Sequence, residues 1–166
     1  MEYVRISKER IGALIGRSGE TKAELERKAK VKILVDSESG EVTISENKSD
    51  PLLTWIARDV VSAISHGFSP KKAFLLFEDG YYFDVIELHP PKKEDCKRVI
   101  SRVIGTTGKT REYIERTTKT YLAIGEDTIS IIGTQDGLGI AKNAIEMLVE
   151  GKPHITVYKF LDRSAI

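Results

Sequence analysis

Apolar and polar positions alternate along this chain with two periods, and the order in which the periods follow one another occurs twice. Leu53, Ile56, Ala57, Val60, Val61 and Ile64 recur at i, i+3, i+4, i+7, i+8 and i+11, the spacing of a helix with one buried face. Val31, Ile33 and Val35 alternate with Lys32, as on a half-buried strand. After the turn Ser37-Glu38-Ser39-Gly40, residues Glu41 to Ser45 supply a partner strand, so the pair predicts a hairpin. Tyr3 to Ile6 predicts a short strand, with Tyr82 to Leu88 as its counterpart. Val99, Ile100, Val103 and Ile104 form a one-sided stripe that ends at a glycine pair. Second helices are expected from Glu20 to Ala29 and from Lys109 to Thr118. Gly67 and Gly151 occupy the place of a left-handed cap after the long helix. A short extra helix follows each, Lys71 to Phe77 and Thr156 to Arg163. The expected unit is β-α-α-β-β-α plus an appended helix.

The two occurrences align residue by residue. Leu14-Ile15-Gly16-Arg17-Ser18-Gly19-Glu20-Thr21 lies over Val103-Ile104-Gly105-Thr106-Thr107-Gly108-Lys109-Thr110 at an offset of 89. The offset falls to 87 where Val42-Thr43-Ile44 meets Ile129-Ser130-Ile131, and to 84 where Ala57-Arg58-Asp59 meets Ala141-Lys142-Asn143. Offsets that change only between elements mark a duplicated domain with altered loops. The turn-like Glu78-Asp79-Gly80 divides the chain into domains 1–80 and 81–166. The expected class is α+β, each domain a three-stranded antiparallel sheet packed on helices.

Composition narrows the function classes. With 40% hydrophobic and 31% charged residues in 166, the chain has the balance of a soluble globular protein. No apolar run approaches the roughly 20 residues of a membrane span. Met1-Glu2-Tyr3-Val4-Arg5 lacks the basic-then-apolar layout of a signal peptide, so a cytoplasmic location is expected, with no membrane partner. Cys96 is the single cysteine, which excludes an intrachain disulfide. One glutamine and two asparagines beside abundant Lys, Glu and Arg suggest a thermophilic source.

The net charge of +1 hides a strong asymmetry. Lys8 to Lys32 carries eight basic and four acidic residues, and Lys92 to Lys119 carries nine and four. Asp36 to Asp50 carries five acidic residues and one lysine. Two local basic stretches suit a polyanion even in a neutral chain, although charge runs also serve as solvated faces.

Both basic stretches contain Ile-Gly-x-x-Gly-x-Thr between two helices. Glycine lets another backbone approach closely, so phosphate oxygens can reach main-chain N–H groups. The N-terminus of the following helix adds partial positive charge at the same place. Thr106, Thr107 and Lys109 are therefore expected to hold phosphates, Gly105 and Gly108 to permit the close approach, and Arg102 and Arg111 to add cations around the loop. Ile104 and Leu122 are expected to line the groove for bases. In the first copy Gly16, Arg17, Ser18, Gly19 and Lys22 take these roles, but Glu20 stands where a phosphate would pass. The second copy is expected to bind more strongly, leaving the first for weaker RNA contact or a protein partner.

Enzymatic readings fare worse. A phosphate loop ending in Gly-Lys-Thr needs its first glycine at position 103, which is Val103, and a strand rather than a helix before it. Gly137-Leu138-Gly139 lacks the third glycine of a dinucleotide fingerprint and fits a helix start. His66, His89 and His154 are scattered and form no metal motif with Cys96, so neither a metal nor a cofactor is expected.

The order β-α-GxxG-α-β-β-α resembles the type I KH domain, whose loop clamps about four nucleotides of single-stranded RNA. Arg102 to Thr110, Ile114-Glu115, and the tail Ile145-Glu146-Met147-Leu148 to Gly151 followed by Val157-Tyr158 resemble more narrowly the archaeal tandem KH branch of the Pno/Dim ribosome-assembly family. That resemblance covers essentially the whole chain. It implies binding near the 3′ end of 16S ribosomal RNA in its maturation. It also implies two protein partners, the Nob-type endonuclease and the alpha subunit of translation initiation factor two. Eukaryotic relatives usually carry a degraded first glycine loop, whereas Gly16 and Gly19 are both present here. The rival reading is a protein-interaction scaffold whose KH surfaces touch RNA only incidentally.

Overall fold

The computed structural model describes residues 1–90 and 93–165, so Lys92, the first residue of the second basic stretch, lies outside the described residues. The chain divides into two compact units, Met1–Asp79 and Gly80–Ile166. In the first unit β1 (Glu2–Arg5) and a 3-10 turn lead to α1 (Ile11–Ile15), α2 (Glu20–Ala29), β2 (Ile33–Val35), β3 (Glu41–Ile44), α3 (Pro51–Ser65) and α4 (Pro70–Ala73). In the second, β4 (Tyr81–Glu87) is followed by α5 (Lys93–Ile104), α6 (Lys109–Thr118), β5 (Tyr121–Ile124), β6 (Thr128–Thr134), α7 (Gln135–Val149) and α8 (His154–Ser164).

Each unit has one antiparallel sheet with its last strand in the middle, in the orders β1-β3-β2 and β4-β6-β5. Val42 faces both Val4 and Val35, and Ile131 faces both Asp84 and Leu122. The alternation within β2 and β3 therefore delivers Ile33, Val42 and Ile44 to the helices and leaves Leu34 exposed.

The cores of the two units use aligned residues. Leu14, Leu25, Ile33, Ile44, Ala57, Val60 and Ile64 are fully buried in the first, as are Val103, Ile114, Leu122, Ile131, Ala141, Ala144 and Leu148 in the second. Cys96 joins the second core as a small packing residue.

The long helices begin differently, and the loop lengths explain why. In the first unit Asp50 accepts from the N–H of Leu52, and Pro51 opens α3. The connection before it turns on buried Asn47, whose amide donates to the Ala29 carbonyl and accepts from Ser49 and Asp50. In the second unit β6 runs directly into α7 with Thr134 as the cap, and Gly137 lies in the first turn of that helix. A Cβ at Gly137 would come within 2.3 Å of the Thr118 carbonyl, so a side chain there would push α7 off the end of α6.

Both long helices end alike. The N–H groups of Phe68 and Lys152 reach back to the Ala63 and Met147 carbonyls, the wide loop of a Schellman close. The appended helices differ in length. That of the second unit has eleven residues, whereas the first has α4 of four residues and a 3-10 turn, Phe74–Phe77.

Candidate nucleic-acid interface

The two glycine loops are nearly superposable in backbone geometry. Gly16 and Gly105 have φ/ψ of 79°/178° and 76°/176°, and Gly19 and Gly108 have 77°/11° and 78°/11°. Within each pair the glycines do different work. A Cβ at Gly105 would stand 2.2 Å from Oγ1 of Thr110, and one at Gly16 would stand 2.2 Å from Oγ1 of Thr21. The threonine two positions past the second glycine thus packs beneath the first. Gly19 and Gly108 instead face open space, with nothing within 4 Å of a notional Cβ.

Between them sits a residue in the left-handed region, Ser18 at φ 54° and Thr107 at φ 55°. A β-branched residue is unusual there, and such strain tends to collect at functional loops. The N–H groups of Thr106 and Thr107 open the 3-10 turn, and among the described residues no backbone carbonyl accepts from them. Two exposed N–H groups beside the start of α6 make an anion nest of the kind the glycine spacing predicts.

The cations divide into two groups. The side chain of Lys109, exposed at the start of α6, makes no hydrogen bond or ion pair with the described residues, and Glu20 takes its place in the first unit. The charge at the mouth of the loop is therefore reversed between the copies. Arg111 is half-buried, donating from Nε to Glu115 at 3.0 Å and from Nη2 to the Leu122 carbonyl at 2.9 Å. It braces α6 against β5. In the first unit, where Lys22 stands at this position, Glu26 makes the brace by accepting from the N–H of Ile33.

Arg102 also has a structural task, donating to the carbonyls of Leu148 and Lys152 at the end of α7. The corresponding carbonyls of the first unit, Ile64 and Phe68, are held by Arg10, each at 2.9 Å. Arg10 does not align with Arg102, whose counterpart is Ala13. Two arginines at different places in the chain thus close the same helix end.

Beside the loop lies a groove of mixed lining, with Leu88, Pro90, Cys96 and Ile100 next to Lys97, Glu126 and Asp127, and Ile104 is not part of it. Ile100 and Ile104 are half-buried on α5, and a cavity of about 850 Å³ runs from Cys96 and Ile100 to the Gly125–Asp127 turn after β5. Leu122 does not line it. At 1% exposure its side chain is part of the core, because the strand alternation turns it onto the helices. Half-buried Ile124 and Gly125 come next along the same strand, towards that cavity.

Sequence reasoning missed the other side of the loop. Arg98, Ser101, Arg102, Lys109, His154 and Tyr158 surround a second cavity of about 650 Å³ together with Gly105, Thr106 and Thr110. His154 Nε2 donates to the Arg102 carbonyl at 2.9 Å, and the Tyr158 hydroxyl meets Thr110 Oγ1 at 3.0 Å. Tyr113 packs on Tyr158 with ring centroids 4.7 Å apart and donates to Asp162. That hydrogen bond holds the Tyr113 hydroxyl above the usual phenol range. The Gly-Lys-Thr reading as a nucleotide loop fails here: a helix precedes the loop, and Thr110 is committed to Tyr158.

A family model of the eukaryotic-type KH domain, KH type I, second domain of PNO1, matches residues 82–165, and the general KH-domain model matches residues 1–50. The chain belongs to the KH-domain proteins of the PNO1/Dim2 family. The KH domain-containing protein MJ0443 of Methanocaldococcus jannaschii is 40% identical over 98% of this chain and 73% of its own length. The pre-rRNA-processing protein pno1 of Schizosaccharomyces pombe is 31% identical over 81% of this chain and 58% of its own, so this chain spans little more than half of that relative. Among solved structures, Dim2p from Pyrococcus horikoshii superposes with a TM-score of 0.88 at 45% identity, covering 98% of both chains. A chain of the a/eIF2alpha–aDim2p–rRNA complex from the same organism gives 0.89 at 45% identity, over 98% of this chain and 92% of that one. The family's type I assignment agrees with the central last strand of both sheets.

Proposed function

We propose that this protein binds single-stranded RNA near the 3′ end of 16S ribosomal RNA during small-subunit assembly, with the second glycine loop as its main grip. The observation that carries this reading is the loop itself. Gly105 is locked over Thr110, two N–H groups are free at Thr106 and Thr107, the Lys109 side chain has no carboxylate partner among the described residues, and a groove with apolar Leu88, Pro90 and Ile100 in its lining lies alongside. Free phosphate donors next to a groove with apolar and polar lining suit a strand whose bases turn outward. The Pyrococcus relative solved in a complex with rRNA and the S. pombe relative in pre-rRNA processing support the ribosomal setting.

The first unit has the second role. Its loop keeps the glycine geometry but places Glu20 at the mouth, which weakens the hold on phosphate and suits a protein partner. The eIF2alpha of the Pyrococcus complex is the candidate, with the Nob-type endonuclease as a further partner. The domains are those divided near Gly80. Fluorescence anisotropy with an RNA matching the 16S 3′ end, beside a scrambled strand, tests the reading. Selective, salt-sensitive binding is expected. Equal binding of both strands would remove the ribosomal target, and flat salt dependence would favour a protein scaffold.

A further inference from the structure

Resting on the RNA reading above, we infer that the cavity between the second glycine loop and α8 extends the loop's own site, holding the RNA phosphate adjacent to the one on the loop. Arg98, Arg102, Lys109 and His154 line it with the Thr106 hydroxyl, and no carboxylate lines it, while the Ser101 hydroxyl at its edge donates to the Lys97 carbonyl. Its volume of about 650 Å³ is within the range of small-molecule sites. The groove for bases lies on the other side of α5, and Ser101 borders both spaces. A strand crossing the loop can therefore place bases in the groove beside Ile100 and phosphates on the cationic side.

The duplication supplies its own control. Aligned with Arg98, Ser101, Arg102, Lys109, His154 and Tyr158 are Glu9, Gly12, Ala13, Glu20, Pro70 and Phe74. The first unit carries the same loop backbone, keeps the threonine hydroxyl at Thr21 and has Arg17 at the place of Thr106, yet Arg98 and Lys109 are both replaced by carboxylates. The structural task of Arg102 passes to Arg10 in the first unit, so the exposed positions 98 and 109 carry the contrast. The longer α8 is part of the same difference. Tyr158 and His154 are docked against the loop by Thr110 and the Arg102 carbonyl, so they form a fixed back wall.

Arg98 is the residue to test, since its side chain is 73% exposed and, among the described residues, pairs with Asp95 alone at 2.6 Å. The full chain, a ten-nucleotide single-stranded RNA and anisotropy across a salt series are sufficient. Arg98→Glu should weaken binding about tenfold, as expected on losing a hydrogen bond to a charged group. It should also flatten the salt slope by about 0.7, one phosphate's share, with an unchanged melting temperature. Arg98→Lys should restore most of both. Lys159→Glu, the same charge change on exposed α8 outside the cavity, should have a much smaller effect. An Arg98→Glu affinity and slope equal to wild type, or an equal loss in Lys159→Glu, would overturn the site while leaving the glycine-loop reading intact. Wild type failing to bind any RNA would instead overturn that reading itself.

Discussion

Two glycines three residues apart look equivalent in the sequence, and their surroundings make them opposites. Gly105 is excluded from carrying a side chain by Thr110 beneath it and by a φ of 76° with ψ near 176°. Gly105→Ala should lower stability by about 3 kcal/mol or more, since that backbone region alone costs 1–3 kcal/mol and the clash adds to it. Gly108 faces open space, so Gly108→Asp should cost only about 1–2 kcal/mol for a left-handed L-residue. Thermal unfolding of the two variants checks this, and similar melting temperatures would contradict it. Thr107 makes the reverse prediction. Removing its side chain relieves the left-handed conformation, so Thr107→Gly should gain up to about 1 kcal/mol while weakening RNA binding. A variant that loses both stability and affinity would show that its side chain supports the loop instead.

At the scale of elements, the duplication was legible because buried faces repeat at fixed offsets. The helices Glu20–Ala29 and Lys109–Thr118 lie where helical periodicity and the glycine pairs put them, and the type I order followed from the order of the periods. Three features were not legible. Leu122 looked like a groove residue because it is apolar and follows the loop, but a strand's inner face belongs to the core. Arg102 and Arg111 looked like free cations, whereas Arg102 bonds to backbone carbonyls at the end of α7 and Arg111 to the Leu122 carbonyl on the next strand, which no local pattern reports. The wall formed by α8 depends on a helix some fifty residues downstream docking beside the loop, and only tertiary contacts disclose it.

The aligned long helices also make a pH prediction. Half-buried Asp59 on α3 is held above the ordinary carboxylate range by burial, against the pull of Arg58, and its counterpart on α7 is Asn143. An acid whose folded pKa is raised takes up protons on folding, so stability falls as pH rises from about 4 through the raised value. Asp59→Asn should therefore melt higher than wild type at neutral pH and equally in acid below that range. A lower melting temperature at neutral pH would mean that the Arg58 pair outweighs the burial.

For the whole molecule, the duplication has kept one fold and separated two surfaces. The cores match position by position, and the loop backbones match to within a few degrees. What differs is chemistry at the mouth, Lys109 against Glu20, and on the wall beside it, Arg98 against Glu9. One such module grips few nucleotides, and two linked weak sites raise avidity by roughly 10² to 10⁴ only if a strand spans both. The division of labour predicts that length beyond the second unit's reach adds little affinity.

The most direct test is one anisotropy series with the 16S 3′-end RNA against wild type, Gly19→Asp and Gly108→Asp, each confirmed folded by its melting curve. Both substitutions introduce one carboxylate into open space at equivalent loop positions, so only the role of each loop differs. Gly108→Asp is expected to lose tenfold or more in affinity, as for a lost contact to a charged group, and Gly19→Asp far less. Affinity in Gly108→Asp equal to wild type, or a greater loss in Gly19→Asp, would contradict it.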